Sequence, residues 1–124
     1  MILNVEQMVG EAKTQIREVD TETALRMIAE DAVVLDVREP SEYAAGSLPR
    51  AVNIPRGVLE FSVIDHPALT RREYPILVYC RSGGRSALAT RTLQDMGCGQ
   101  VASLAGGFEA WSAKALPVAR DTES

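Results

Sequence analysis

The sequence predicts an α/β domain in which a parallel sheet is covered by helices on both faces. Two observations carry that prediction. Short runs rich in β-branched residues, "AVVLDV" and "PILVYC" above all, are almost continuously apolar rather than alternating, as strands buried on both faces are. Between such runs lie stretches whose apolar residues recur at helical spacing, and strands alternating with helices build parallel sheets. No repeat, low-complexity segment or linker divides the 124 residues, a length that suits one domain able to bury its own core.

The elements follow in chain order. Asn4 with Gln7 has the form of a capping box, and Leu3 and Met8 are placed as a hydrophobic staple. Val5, Met8, Val9, Ala12 and Ile16 then recur at helical spacing, which predicts an amphipathic helix over residues 4–17. A first strand is expected near Arg17 to Val19. Asp20 and Thr21 offer caps for a second helix with Ala24, Leu25, Ile28 and Ala29 on its apolar face. "AVVLDV" is a buried strand ending at Asp36, Val37 and Arg38, and "EPSEYAAG" starts a short helix with Pro40 in its first turn. "AVNIP" is a brief strand stopped by Pro55. Residues 56–73 have weak periodicity and are expected to be irregular with one helical turn.

"PILVYC" is the strongest strand signal. After the glycines at 83 and 84 a helix is expected from Arg85 or Ser86, with Leu88, Ala89, Thr92, Leu93 and Met96 as its stripe and Gly97 as its terminator. "QVASL" is a last strand, and "AGGFEAWSAKALP" turns through Gly106 and Gly107 into a helix that packs Phe108 and Trp111. The chain thus divides into an N-terminal helix packed on the domain (1–18), the domain itself (19–118) and a polar tail expected to be flexible (119–124).

Composition narrows the function. Asp and Glu outnumber Lys and Arg by 17 to 13, giving a formal charge of -4, which argues against nucleic acid or an anionic membrane as a general partner. All the basic residues except Lys13 and Lys114 are arginine, and Arg81 and Arg85 flank the glycines after Cys80. Cys80 and Cys98 form neither a disulfide framework nor a zinc signature. The first residues include Glu6 and Glu11 and lack a continuous apolar run, so they read as neither signal peptide nor membrane span. A cytoplasmic protein with reduced thiols is expected.

The residues "CRSGGRS", Cys80 to Ser86, concentrate the chemistry. In an open parallel sheet ligands bind beyond the carboxyl ends of the strands, where Cys80 is expected. Loop amides and the following helix N-terminus would converge on the sulfur and form an anion site whose anion can be the thiolate itself. Favouring a thiolate about a hundredfold takes roughly 2.7 kcal/mol. A helix terminus supplies on the order of 0.3 to 2 kcal/mol, and the two arginines are expected to add the rest. Gly83 and Gly84 allow a tight ring of inward amides, some at positive φ, and Arg85 would close it with a planar fork suited to an oxyanion. A lone cysteine on an apolar strand is ordinarily a buried small hydrophobe, and Gly-Gly ordinarily a mere turn. The coincidence of strand end, arginines, glycines and helix start is what selects Cys80 as a nucleophile.

The chain resembles the rhodanese family from about Val19 to Val118. "VVLDVREPSEYAAGSLPRAVNIP" looks like the family's first signature, "VYCRSGGRS" like its active-site loop and "LAGGFEAW" like its last. The resemblance implies a three-layer α/β/α domain around a five-stranded parallel sheet, and transfer of the outer sulfur of thiosulfate to cyanide or a thiol through a persulfide on Cys80. It implies no metal and no organic cofactor. The loop Arg81, Ser82, Gly83, Gly84, Arg85 and Ser86 would hold donor and persulfide. Asp36, Arg38 and Glu42, matching charged positions of the first signature, would brace the loops as an ion-paired network. Thioredoxin or a sulfur-carrier protein would be possible acceptors. The chain departs from the family's Gly-His-Ile-Pro-Gly-Ala at Gly46 to Ala51, which touches packing rather than the nucleophile. His66 lies outside every signature and Cys98 lacks an activating neighbour; structural roles are expected for both.

Two alternatives stand beside this reading. Cysteine phosphatases and arsenate reductases related to this fold carry five residues between Cys and Arg. Here Arg81 to Gly84 make the loop one residue shorter, which removes up to about 3.5 Å of contour and favours a single sulfur over a tetrahedral phosphate. A non-catalytic binding module is the other alternative, against which Cys80 and its arginines argue.

Overall fold

The computed structural model describes residues 3–120. Five parallel strands form one sheet in the order β1-β5-β4-β2-β3: β1 Arg17–Val19, β2 Val33–Asp36, β3 Val52–Asn53, β4 Ile76–Tyr79 and β5 Val101–Leu104. The helices are α1 Val5–Gln15, α2 Thr21–Ala29, α3 Pro40–Ala45, α4 Leu59–Val63, α5 Gly84–Asp95 and α6 Gly107–Ala113. Short 3-10 turns at Arg56–Val58 and Pro67–Leu69 flank α4. The architecture is α/β/α, as expected from the sequence.

Alternation along the strands divides the core in two. Leu35, Ile76, Val78 and Cys80 face Leu59 and Val63 of α4 and Ala89 and Leu93 of α5. Val34, Leu77, Tyr79 and Leu104 face Ala24 of α2 and Trp111 of α6, with Tyr43 of α3 against them. From β2 the chain runs outward to β3, whereas from β4 it runs to β5 on the other side. The order therefore reverses between β2 and β4, and in such sheets the crevice lies beyond the carboxyl ends of those two strands. Asp36 is the last residue of β2, and Cys80 directly follows Tyr79, the last of β4.

Local signals decide the ends. Asn4 and Gln7 exchange the two capping-box hydrogen bonds at 2.8 and 2.9 Å, and Asp20 accepts from Thr23 N–H at the start of α2. Gly97 stops α5 at φ +100. Several sequence expectations are corrected. Leu25 and Ala29 are exposed, and α2 turns Thr21, Ala24, Met27 and Ile28 inward instead. α5 begins at Gly84, ahead of the expected start, with Gly83 as its cap. Its buried face is Ser86, Ala87, Ala89, Thr90 and Leu93, while Leu88 and Thr92 turn toward α1, which packs on its outer side. The start of the expected loose tail is tied down: Ser47 and Ala119 exchange two backbone bonds of 2.8 Å, and Val118 packs on the core. Residues 121–124 lie outside the described residues. No described helix is long and apolar enough to cross a membrane.

Candidate active site

Cys80 is buried, 1% exposed, yet its sulfur addresses the loop rather than hydrocarbon alone: the Gly83 N–H donates to Sγ at 3.1 Å. Gly83 reaches this position at φ +116, where a side chain would be strained, so the glycine is required by the turn that aims its amide. Ser86, in the first turn of α5, brings its hydroxyl oxygen to 3.5 Å from the sulfur. One backbone amide, one hydroxyl and the start of a twelve-residue helix thus converge on the sulfur.

The arginines are placed differently from the expectation. Arg85 does not aim its fork at the sulfur: its two terminal nitrogens grip the Glu42 carboxylate at 2.7 and 3.0 Å. That hydrogen bond holds the Glu42 carboxyl down to about 2, against the opposing effect of burial, with the Glu39 N–H assisting at 2.9 Å. The same bond raises the Arg85 guanidinium above its ordinary value, and the Cys80 side chain lies near enough to contribute electrostatically. Arg81 pairs at the surface with Glu109 of α6 at 3.2 Å. Both loop cations are therefore answered by carboxylates, and direct solvation of the sulfur falls to the amide and the hydroxyl.

Asp36 and Arg38 form a second, buried pair at the end of β2. Arg38 donates to Asp36 at 2.7 Å and to the Gly46 carbonyl at 2.6 Å, with its guanidinium 4.5 Å from the Phe108 ring centroid. Burial opposes its charge, but the Asp36 hydrogen bonds and charge win and raise Arg38. Tyr79 completes the group: its hydroxyl donates to Asp36 at 2.7 Å and accepts from Leu48 N–H at 3.1 Å. Burial first, then the Asp36 charge, push the Tyr79 phenol far up, so it stays a donor. The network joins β2, β4 and the chain after α3.

Two contributors escaped sequence reasoning. Gly107, at φ +54, lets the start of α6 lie against the loop after Cys80: a Cβ there would sit 2.5 Å from the Cys80 carbonyl oxygen and 2.7 Å from Arg81 backbone atoms. Through this approach Phe108 N–H donates to Cys80 O at 2.8 Å and Glu109 N–H to Arg81 O at 3.0 Å. The Gly-Gly pair in "LAGGFEAW" is the available signal, but a turn or a signature match does not reveal the close approach to Cys80. Ser103 of β5, 2.8 Å from Ser86 Oγ, had no signal beyond being a polar residue in an apolar strand. His66 caps a 3-10 turn by accepting from Ala68 N–H at 3.1 Å, and Cys98 is buried in the core, which pushes its thiol up. Ser82 is exposed on the loop. No group of three or more His, Cys, Asp or Glu able to hold a metal ion occurs among the described residues.

Comparison with known proteins agrees with this geometry. The family model for the rhodanese-like domain matches residues 20–114. A sulfurtransferase of Allochromatium vinosum is 33% identical over 105 residues, covering 83% of this chain and 94% of its own. The thiosulfate sulfurtransferase GlpE of Pseudomonas entomophila is 36% identical over 98 residues, covering 79% and 86%. Among solved structures, a Rhodopseudomonas palustris protein of unknown function, described as a possible tyrosine phosphatase, superposes with a TM-score of 0.86 at 33% identity, covering 96% of each chain. The human single-domain sulfurtransferase TSTD1 gives 0.72 at 28% identity, covering 78% of this chain and 96% of its own. The α1 helix precedes the matched segment. By its sheet order, its cysteine loop and these matches, the chain belongs to the rhodanese-like domain family, which includes sulfurtransferases.

Proposed function

We propose that the protein is a sulfurtransferase that takes the outer sulfur of thiosulfate, or of a related anionic donor, onto Cys80 and passes it to a thiol or cyanide. The Cys80 thiolate attacks the outer sulfur; a new S–S bond forms while the donor's S–S bond breaks and its electron pair leaves on sulfite. The acceptor nucleophile then attacks the terminal sulfur of the persulfide and releases the Cys80 thiolate. This is covalent, ping-pong catalysis supported by preorganised dipoles. Thioredoxin or a sulfur-carrier protein would serve as acceptor equally well in chemical terms, and the cytoplasm supplies reduced thiols.

The observation that carries the reading is the Gly83 N–H held 3.1 Å from Cys80 Sγ by a loop of only Arg81, Ser82, Gly83 and Gly84. A persulfide places its second sulfur about 2 Å beyond the first, within the same short loop. Arg81, Ser82 and Arg85 line the loop, while Asp36, Arg38 and Glu42 brace its surroundings through the contacts above. The likeness to a structure described as a possible tyrosine phosphatase keeps phosphate-ester hydrolysis as the competing activity.

Intact mass before and after incubation with thiosulfate decides between them. Addition of one sulfur, about 32 Da, on the wild type and none on Cys80→Ser is expected. No added mass, with turnover of a phosphatase reporter, would choose phosphate chemistry; neither result would leave a binding module.

A further inference from the structure

Ser86 and Ser103 are both fully buried, with their hydroxyl oxygens 2.8 Å apart. Ser86 Oγ also lies 3.2 Å from the Gly83 carbonyl oxygen and 3.5 Å from Cys80 Sγ. Among the described residues, Ser86 is the hydrogen-bond partner recorded for the Ser103 side chain. A buried hydroxyl with one such neighbour donates to it, because an unsatisfied donor in the interior is costly. Ser103 therefore gives its proton to Ser86 Oγ, and the single proton of Ser86 must point to Gly83 O or to the sulfur.

Two arrangements satisfy every atom. With Cys80 a thiol, the S–H donates to Ser86 Oγ and Ser86 donates to Gly83 O. When the thiol proton leaves to solvent, the Ser86 hydroxyl turns to the sulfur. Gly83 O is not stranded by that turn, since Ala87 N–H donates to it at 3.1 Å. The thiolate then holds two donors, Gly83 N–H and Ser86 O–H. Ser103 keeps the Ser86 oxygen satisfied and, by polarising it, makes it a stronger donor.

We infer that Ser103, on β5, is a positioning residue that turns the Ser86 hydroxyl toward the Cys80 sulfur and so favours its reactive anionic form. The inference rests on the reading of Cys80 as the nucleophile. The charged groups around Cys80 are Arg85 of α5 with Glu42 of α3, Arg81 with Glu109 of α6, and Asp36 with Arg38 at the end of β2, next to Tyr79. None of these is hydrogen-bonded to Ser103 among the described residues, so a change at Ser103 acts through Ser86.

The test is an ultraviolet titration of thiolate absorbance on the full chain, each variant referenced to the same variant carrying Cys80→Ser so that Cys98 cancels. Ser103→Ala is expected to raise the midpoint by about half a unit to one unit, a three- to tenfold loss of thiolate at fixed pH. Ser103→Thr, which restores the hydroxyl, should return it to the wild-type midpoint, and in a Ser86→Ala background Ser103→Ala should add nothing. If Ser103→Ala does not fold, Ser103→Cys, a weaker donor of similar size, should show a shift of the same sign. A wild-type midpoint for Ser103→Ala, equal shifts for the Ala and Thr variants, or an undiminished shift without Ser86 would each overturn the inference. The titration needs no sulfur donor, so a failure of thiosulfate to load the wild type would count against the proposed function and not against this.

Discussion

Gly107→Ala tests whether α6 holds the loop after Cys80 in place. At φ +54 an alanine costs about 1–2 kcal/mol in backbone energy alone. Its methyl carbon would stand 2.5 Å from Cys80 O, and the obstructing atoms are backbone that cannot swing aside. The only relief is to draw the α6 start away from the loop, stretching the Phe108-to-Cys80 and Glu109-to-Arg81 bonds of 2.8 and 3.0 Å, each worth about 0.5–1.5 kcal/mol. Together these give about 2–5 kcal/mol, a large fraction of the 5–15 kcal/mol typical of a domain. Urea unfolding should show the midpoint falling by about 1–2.5 M at an m-value of about 2 kcal/mol/M. If the protein loads sulfur as proposed, molecules that stay folded should do so at least about tenfold more slowly, because the loop after Cys80 loses the two α6 amides that anchor the Cys80 and Arg81 carbonyls. Gly97→Ala is the control: its φ is +100 but a Cβ there meets nothing within 4 Å, so it should lose only about 1 kcal/mol and no loading rate. Equal stability losses at the two glycines, or unaltered loading by Gly107→Ala, would refute the reasoning.

Other outcomes follow from the same contacts. The folded Glu42 carboxyl, at about 2, lies below an unfolded value of about 4.3, so its stabilisation is complete above pH 4.3 and disappears as pH falls toward 2. Partial exposure of the Arg85 pair limits this to about 1 kcal/mol; Glu42→Gln should lose that amount at pH 7 and show a flatter acid limb in urea melts, and parallel limbs would contradict it. Tyr79→Phe removes a donor from buried Asp36 and an acceptor from Leu48 N–H, and should cost about 1–3 kcal/mol in urea unfolding with the ring contacts kept. Gly10→Ala, inside α1 with open space around it, should raise stability by about 0.5–1 kcal/mol, read as a higher melting temperature.

What sequence could reveal divides along a physical line. Local chemistry was legible: the capping box at Asn4, the fully apolar strand before Cys80, Gly97 as terminator and the glycine loop all act through neighbours in the chain. Contacts made across the sheet were not. Leu25 reads as a core residue by spacing, but α2 is short and its inward face is decided by where Trp111 and Leu77 lie. Ala119 pairs with Ser47 and Gly107 meets Cys80 because the fold brings distant segments together, and no periodicity records that. The arginines were the most instructive case. Their presence beside Cys80 was plain, whereas the carboxylates that engage them come from α3 and α6.

That pairing changes the electrostatic argument for which anion the site prefers. With Arg81 free and Arg85 aimed inward, the loop would be a cationic pocket open to any anion, phosphate included. As placed, each guanidinium carries its own carboxylate at 2.7–3.2 Å, so a multiply charged tetrahedral ion approaching the rim meets Glu42 and Glu109 as well as the arginines. Inside, what faces the sulfur are short-range dipoles: the Gly83 amide and the Ser86 hydroxyl, both within 3.5 Å of that one atom. Dipoles at that range favour a small, singly charged, polarisable centre. A persulfide sulfur fits that description, and a phosphate dianion, needing donors on several oxygens at once, does not. Breaking the Glu42 pair should therefore loosen the preference as well as the fold: Glu42→Gln frees the Arg85 charge and is expected to improve inhibition of sulfur loading by inorganic phosphate, while an unchanged phosphate sensitivity would show that the carboxylates at the rim do not set the preference.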